Sequence, residues 1–500
     1  FPSYPEVQVI YEDLNCSDML ALYSQSNCLL APSFGEGFGL PIAEAMYMEL
    51  PVITTNWGGQ LDFCNEENSW LIDYDFKPAK THFNQQHSMW AEVDVDKLSS
   101  QLIQFYNLSA HDIRKKTDKA KIKINQFTWS KVAKNNIDFI QHISNNQIIK
   151  DVRIGFISTY NSRCGISDYT KKLVQNIFDY VHVFAPKDLE NVSPDENIVS
   201  RCWNLSSDNY EDLYLEIIEK KITTVIVQFN FGLFHIRSFY NLYSSLVRKK
   251  IKVYLVLHSI ITPDYYSSKD CSCLKKIYLL SERLFVHTIE DVNSLKRQGF
   301  INNVTLLPHV MSDIVKVDLY SSNIKKIKEK IRKKRVITLC SNGFCLPNKG
   351  FSNLIESFST LINQGYNLNL SLYTPNHFSD IKGVYFTELR ALIDKLNLND
   401  YIHISNEYLD ELTLYQKLNE ADILIYPYQG TVESSSASVR QGLLMGKPIL
   451  VTPSKIFSDV DSCVVKLDGF SNINIVEGII KLMKDVNLQS LEEIQNQSLV

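Results

Sequence analysis

Among ten cysteines the chain has no CxxC pair. The closest spacing is Cys271 and Cys273, in CSC, and no second pair stands at zinc-site spacing. That sets aside a zinc module and a disulfide frame, leaving thiols of a reducing compartment. The formal net charge of -5 gives no footprint for nucleic acid. Apolar runs such as Ile251–Ile261 (IKVYLVLHSII) are too short or too interrupted to span a bilayer. No signal-peptide pattern is visible, and no initiating methionine: the chain opens at Phe1 in what reads as the middle of a folded unit, an N-terminally truncated fragment.

What is present is ordinary globular material. Hydrophobic residues make up 45% and charged residues 21% of 500, too many residues for one core. Apolar strand-like runs alternate with amphipathic helices, the pattern of α/β layering on parallel sheets. Strands are expected at Val7–Tyr11, Asn27–Pro32, Pro51–Thr55, Val152–Ser158, Thr224–Gln228, Lys252–His258, Leu284–His287 and Val304–Pro308. The last third adds Arg335–Cys340, Leu368–Tyr373, Tyr401–Ile404, Asp422–Tyr426 and Pro448–Val451. Polar HISNNQIIKD (His142–Asp151) and lysine-rich SNIKKIKEKIRKKR (Ser322–Arg335) each precede a fresh strand, which divides the chain into 1–150, 151–325 and 326–500. The lysine run reads as a solvated helix face beside a linker.

The chain repeats itself. PSFGEGFGLPIAEAMYMELPVITT (Pro32–Thr55) is echoed by PYQGTVESSSASVRQGLLMGKPILVT (Pro427–Thr452). Glu36 falls on Glu433 and Glu44 on Gln441, both offset by 397 positions. The preceding segments agree too, VQVIYEDL resembling YIHISNEYLDEL, so one kind of domain occurs twice.

A dinucleotide fingerprint does not explain the glycine loop. Gly35, Gly37 and Gly39 are spaced GxGxG rather than GxGxxG, and the next strand ends in Asn56 and Trp57 where a ribose-binding acid is expected. Glu36 would also set a negative charge beside a pyrophosphate, whereas a carboxylate is a good acceptor for hydroxyls. Pro41 marks a first helical position, so a helix starts near Leu40 with Glu44 roughly 6 Å along its axis. Two carboxylates can then hold hydroxyls at separate points of one ligand, with loop amides between them for a diphosphate. A sugar nucleotide has that layout. The plainer alternative is a solvent-facing Glu36 and a helix-start Glu44.

GEGFGLPIAEAM, with Glu36 and Glu44, resembles the donor-site signature of family 4 retaining glycosyltransferases, enzymes of the two-Rossmann GT-B architecture. PVITTNWGGQLDF and WAEVDVDKL (Trp90–Leu98) are similar to the same nucleotide domain, and FTWSKVAKNNIDFI to the segment that closes it. The resemblance implies that Glu36 meets the donor sugar, Glu44 the ribose, and Gly37, Phe38, Gly39 and Leu40 the donor between them. From residue 151 on, the chain resembles a whole enzyme of that family. RIGFISTYNSRCGISDYT (Arg153–Thr170) is similar to its opening strand and glycine loop, with Gly165 near acceptor and donor phosphate. VLHSI places His258 where the family carries a histidine near the transferring sugar, and GFCLPNKGF makes Lys349 the cation for the diphosphate. Phe344 stands where an arginine is frequent.

The second copy departs further. Gln441 replaces a carboxylate, and Glu433 is followed by Ser434, Ser435 and Ser436 in place of Gly37, Phe38 and Gly39, with Arg440 beside Gln441 as a helper charge. The implied fold is α/β: a partial donor-nucleotide domain over 1–150, then acceptor-side (151–325) and donor-side (326–500) Rossmann-like domains. The implied function is transfer of a sugar, with retention, from a nucleoside-diphosphate sugar to a saccharide or lipid-linked acceptor in surface polysaccharide or lipopolysaccharide synthesis.

His258, Glu433 and Glu36 are the catalytic candidates, and no metal or other cofactor is required. The two DVD triplets, at Asp94–Asp96 and Asp459–Asp461, read as surface or helix-start acids. Ser167 reads as an N-cap before a helix at Asp168, and Trp57, Gly58 and Gly59 as a simple turn. His258 has an equal reading as a satisfied core histidine; His287 and His309 also end strands. The expected location is cytoplasmic, at the inner membrane face if the acceptor is lipid-linked. Two other functions stay open: a catalytically weakened sugar-nucleotide-binding module, and a GT-B-type sugar-nucleotide epimerase. A phosphorylase is disfavoured, since no lysine motif for a pyridoxal cofactor is evident.

Overall fold

The computed structural model describes residues 7–484 except 12–13, 81–87, 128–130, 132–133, 135–151, 176, 178–179, 309–326, 328, 378–379, 381 and 432. The chain divides into two compact units, Phe1–Lys150 and Asp151–Val500. The polar segment before residue 151, most of FTWSKVAKNNIDFI, the first part of the lysine-rich run and His309 lie outside the described residues.

The first unit holds a parallel sheet of β1 (Leu29–Ala31), β2 (Val52–Thr55) and β3 (Trp70–Ile72), in that order, and an antiparallel pair, β4 (Tyr74–Pro78) with β5 (Met89–Val93). The central strand β2 is buried at every position, as a parallel strand covered on both faces must be. Its core joins Ile42, Ala45 and Met46 of helix Leu40–Tyr47 to Phe63 and to Ala120 of helix Ala110–Ile124. Asp94 caps helix Val95–Tyr106 by accepting from the Asp96 and Lys97 amides, the helix-start role expected of it. Val7–Tyr11 is not a strand, and Val7 and Tyr11 are exposed. Its counterpart in the repeat is held by a neighbouring strand, and no described residue of the first unit supplies that neighbour.

The second unit carries two all-parallel sheets. The first comprises β6 (Arg153–Ile157), β7 (Tyr180–Pro186), β8 (Val199–Trp203), β9 (Thr224–Phe229), β10 (Lys252–Leu257), β11 (Arg283–Val286) and β12 (Val304–Leu306), in the order β12-β11-β10-β9-β6-β7-β8. The second comprises β13 (Ile337–Asn342), β14 (Leu368–Tyr373), β15 (Ile402–Ser405), β16 (Ile423–Tyr426), β17 (Ile449–Val451) and β18 (Val465–Lys466), in the order β15-β14-β13-β16-β17-β18. Strand order reverses at β6/β9 and at β13/β16, and the crevice beyond such a reversal is where α/β sheets bind ligands. The loops leaving β6, β13 and β16 carry Gly165, Asn342–Lys349 and Glu433–Ser436.

The repeat is structural as well. Helices Cys16–Gln25 and Glu411–Glu420 correspond at an offset of 395, as do their caps Asn15 and Asp410, whose side chains accept helix-start amides. The two-residue change of offset before the glutamate falls in the loop, so β1–helix–β2 and β16–helix–β17 keep the same frame.

Candidate functional site

In the first copy, Gly39 takes φ 84 as the residue before helix Leu40–Tyr47, with Pro41 in its first turn. The loop is held from outside. The Gly59 amide donates to the Glu36 carbonyl at 2.8 Å, and a Cβ on Gly59 would overlap the Gly37 carbonyl. Gln60 is fully buried and donates to the carbonyls of Thr55 (3.0 Å) and Trp57 (2.8 Å). Trp57–Gly58–Gly59 is therefore a clamp on the loop rather than only a turn, because two backbones approach closer than any side chain allows.

A cavity of about 490 Å³ opens beside this helix, lined by Phe38, Leu40 and Glu44 together with Leu14, Met19 and Tyr23. Glu44 accepts a hydrogen bond from the Tyr23 hydroxyl at 3.0 Å. Burial and Glu44 push the Tyr23 hydroxyl up to about 12. Phe38 packs on Phe63 and Phe127, so its ring is a wall of the cavity and part of the core. Glu36 and Gly37 do not line this space.

The second unit has a cavity of about 470 Å³ at corresponding positions. Leu409, Leu414, Ala437 and Gln441 line it where Leu14, Met19, Leu40 and Glu44 line the first. Its opposite wall is the loop and helix after β6, with Asn161, Ser162, Gly165, Asp168 and Lys171. The end of β13 adds Asn342, Gly343 and Phe344. Helix Gly165–Val174 begins earlier than expected, with Cys164 as its cap. The Ser167 hydroxyl instead accepts from the Ser162 amide at 3.0 Å and tightens the loop.

Two contacts cross the cleft beside this cavity. Lys172 pairs with Glu411 at 2.9 Å, and the Tyr408 hydroxyl donates to Asp168 at 3.4 Å. Desolvation raises the Asp168 carboxyl to about 6, against the pull of Lys172.

Lys349 is buried and its ammonium donates to Glu433 at 3.1 Å while lying 4.1 Å from the Tyr428 ring centre. Burial works against its charge, but Tyr428 and Glu433 more than offset this, and its pKa lies above the ordinary lysine value. Phe344 joins this pair to the cavity through His377, its ring 5.3 Å away. Burial lowers the pKa of His377, with Glu433 and Lys349 both in its field.

His258 directly follows β10, and its carbonyl accepts from the Ser434 amide at 3.2 Å, bringing the second-copy loop onto the first sheet. Its Nε2 meets Gln228 Oε1 at 2.7 Å, and its ring lies 5.0 Å from that of His287. Burial, reinforced by His287, holds His258 well below the usual histidine range, and burial takes His287 to about 4. Both imidazoles are neutral at pH 7.

Ser435 and Arg440 are engaged elsewhere. Arg440 forms a buried ion pair with Asp459 and donates to the Ser436 carbonyl at 2.9 Å; Ser435 donates to Asp459 at 3.1 Å. Asp459 is thus the partly buried counterion of Arg440 rather than a surface acid, and Arg440 has no free charge to lend Gln441. The structure gathers Gly165 and Gln441 at the cavity, and Lys349 with Glu433 near it. Sequence reasoning missed Asn342 and Tyr408, which both line the cavity. Asn342 was within reach, as a polar residue ending a buried strand before a glycine.

No group of three or more histidine, cysteine or acidic side chains is placed to hold a metal among the described residues. Among the same residues, no helix is long and apolar enough to cross a membrane.

Residues 6–80 match the family described as glycosyl transferases group 1. The chain is similar in structure to Anabaena HepE in complex with UDP, with a TM-score of 0.54 at 12% identity over 69% of this chain and 93% of that one. It is similar to sucrose-phosphate synthase from Thermosynechococcus elongatus, with a TM-score of 0.54 at 11% identity over 69% of this chain and 93% of that one. It is also similar to the α,α-trehalose-phosphate synthase (UDP-forming) from Burkholderia xenovorans in complex with glucose-6-phosphate, with a TM-score of 0.52 at 9% identity over 69% of this chain and 95% of that one. At such identities the likeness establishes the fold, which is GT-B. No curated protein is found to match the sequence.

Proposed function

We propose that the chain is a retaining glycosyltransferase of the family 4 kind, moving a sugar from a nucleoside-diphosphate sugar to a saccharide or lipid-linked acceptor. The observation that carries this reading is the 470 Å³ cavity at the strand-order reversals of two parallel sheets, with the Lys349–Glu433 pair next to it. Glu433 accepts donor-sugar hydroxyls, and Lys349 offers the cation that a leaving diphosphate needs, so that no metal is called for. Neutral His258 stands at the carboxyl end of β10; with its Nε2–H donating to Gln228 Oε1, its Nδ1 is left to accept a hydrogen bond at the transferring sugar. The relatives named above in complex with UDP, or named as UDP-forming, support a uridine nucleotide as the first donor to try. The first unit, with Glu36 and Glu44 intact, is the nucleotide half of a second such site. The acceptor chemistry suits polysaccharide or lipopolysaccharide assembly at the cytoplasmic face of the membrane.

The test is turnover of the full chain with a panel of nucleotide sugars, with and without saccharide acceptors, comparing Glu433→Ala and Glu36→Ala. Transfer abolished by Glu433→Ala and kept in Glu36→Ala supports the reading. Loss only in Glu36→Ala moves the chemistry to the first unit. Binding without turnover makes the second unit a weakened nucleotide-binding module. An isomerised nucleotide sugar formed without acceptor makes it an epimerase.

A further inference from the structure

Gln441 sits at the wall of the second-unit cavity at the head of a buried hydrogen-bond relay. The Tyr426 hydroxyl lies 2.8 Å from Asn342 Oδ1, and Asn342 Nδ2 lies 2.8 Å from Gln441 Oε1. Tyr426 and Asn342 are 0% and 2% exposed. The direction of the relay follows from satisfaction of its donors. A buried hydroxyl proton must find an acceptor, and Asn342 Oδ1 is the acceptor within reach. Turning the Asn342 amide over would leave that proton facing an NH₂ group. With Asn342 fixed, its NH₂ holds Oε1 of Gln441 toward the relay, and the group of Gln441 left facing away from the relay is the NH₂ donor. Gly442 keeps the relay possible, since a Cβ there would crowd the Tyr426 hydroxyl.

We infer that Gln441 presents a hydrogen-bond donor to the second-unit cavity, and that the Tyr426–Asn342 relay sets this polarity. This rests on the reading of the cavity as a nucleotide site. Its ligand is then a nucleoside diphosphate that turns an acceptor oxygen of its ribose toward residue 441, not a hydroxyl proton. The first copy has the opposite polarity: Glu44 is a carboxylate, which only accepts. It also has no relay, because Ala31 precedes Pro32 as Tyr426 precedes Pro427. Asn342 and Tyr426 are positioning residues; Gln441 is the one that meets the ligand.

The test uses the full chain and calorimetric affinities for uridine diphosphate and its 2′-amino-2′-deoxy and 3′-amino-3′-deoxy analogues, at a pH where the amines are protonated and can only donate. Gln441→Ala and Tyr426→Phe are charge-neutral, so a change in the ratio of amino to hydroxyl affinity reports hydrogen-bond polarity rather than net charge. Removing the opposing donor in Gln441→Ala shifts the ratio toward the amine by about threefold to tenfold. Tyr426→Phe, which frees the relay to turn over, shifts it the same way without altering any group in the cavity wall. A shift toward the hydroxyl form in Gln441→Ala overturns the inference. Absence of binding for uridine, guanosine, adenosine and cytidine diphosphates alike would instead overturn the nucleotide reading, and this inference with it.

Discussion

Where the first copy enters its helix, Gly39 turns the chain at φ 84 and no side chain caps the helix. Where the second copy does so, Ser436 sits at φ -107 and its hydroxyl accepts from the Val439 amide. Beside those turns the loops are braced from opposite directions. Gly59, after β2, bears on the first loop, whereas Gly350, ahead of helix Phe351–Asn363, bears on the second. The Gln429 amide adds a 2.8 Å bond to the Asn348 carbonyl there. One frame has thus been kept while its capping, its bracing and the polarity at Glu44 and Gln441 were exchanged. The fold is set by the strand–helix–strand core, which leaves the loop chemistry free to diverge.

The largest effect expected from breaking this comparison comes from the two bracing glycines. A Cβ on Gly59 would overlap the Gly37 carbonyl, and one on Gly350 would overlap the Pro427 carbonyl at a left-handed φ of 73. Each alanine substitution should cost more than about 3 kcal/mol, because backbone rather than a flexible side chain must move. Thermal unfolding of the full chain checks this. Gly350→Ala should also abolish nucleotide binding in the second unit, while Gly59→Ala should leave it intact.

Lys349→Met comes next. Removing the buried cation leaves Glu433 unpaired and a leaving diphosphate without countercharge. The expected loss is about a hundredfold in kcat, near 3 kcal/mol, measured as sugar transfer at saturating donor. A comparable loss from Glu44→Gln in the first unit would show that both copies turn over and would remove the asymmetry between them.

Beside the second-copy loop a buried acid brings a pH dependence of its own. Ser434, in the place of Gly37, meets Asp291, whose carboxyl burial raises to about 6 despite help from Ser434 and Thr288. A folded pKa above the unfolded value of about 3.9 means stability that is full below about pH 4 and is lost as pH rises through about 6. The loss amounts to ~3 kcal/mol at most. Asp291→Asn should flatten the unfolding midpoint between those pH values, and a curve that keeps the original slope would assign the dependence to another acid such as Asp168.

The parts of the molecule that were legible in the sequence are those where backbone physics decides. The glycine loop, Pro41 in the first helical turn and the apolar central strands all stand where pattern and propensity place them. Strands β7 and β8 were missed because their apolar pattern is broken by side chains that have partners in the structure. His182 meets Ser200 at 2.8 Å, and Arg201 pairs with Asp195 at 2.7 Å. Val7–Tyr11 shows the converse: the pattern of a strand is present, but a strand needs a neighbour to bond. The commitment of Arg440 to Asp459 joins residues 19 positions apart in sequence, and nothing in either segment names the other as partner. The role of Asn342 is hidden in the same way, since it depends on a tyrosine from another strand.

The smallest effect expected is also the one that separates the two copies most cleanly. Tyr23 in the first copy and Asn342 in the second each donate one hydrogen bond to the side chain at the shared cavity position, at 3.0 and 2.8 Å. Tyr23 belongs to helix Cys16–Gln25, and its counterpart in the second copy is the buried Leu418. Tyr23→Phe removes one hydroxyl from an exposed carboxylate that water can serve instead, so the loss should be about 1 kcal/mol, read from thermal unfolding. It should not change what Glu44 can do, because a carboxylate has acceptor sites to spare and nothing to turn over. Tyr426→Phe, by contrast, should change the hydrogen-bond sense of Gln441 even though Tyr426 is outside the cavity wall. An amide must be told which way to face, and a carboxylate need not be. If Tyr23→Phe altered ligand preference in the first unit as Tyr426→Phe does in the second, the polarity of these cavities would depend on the tyrosines rather than on the residue at 44 and 441.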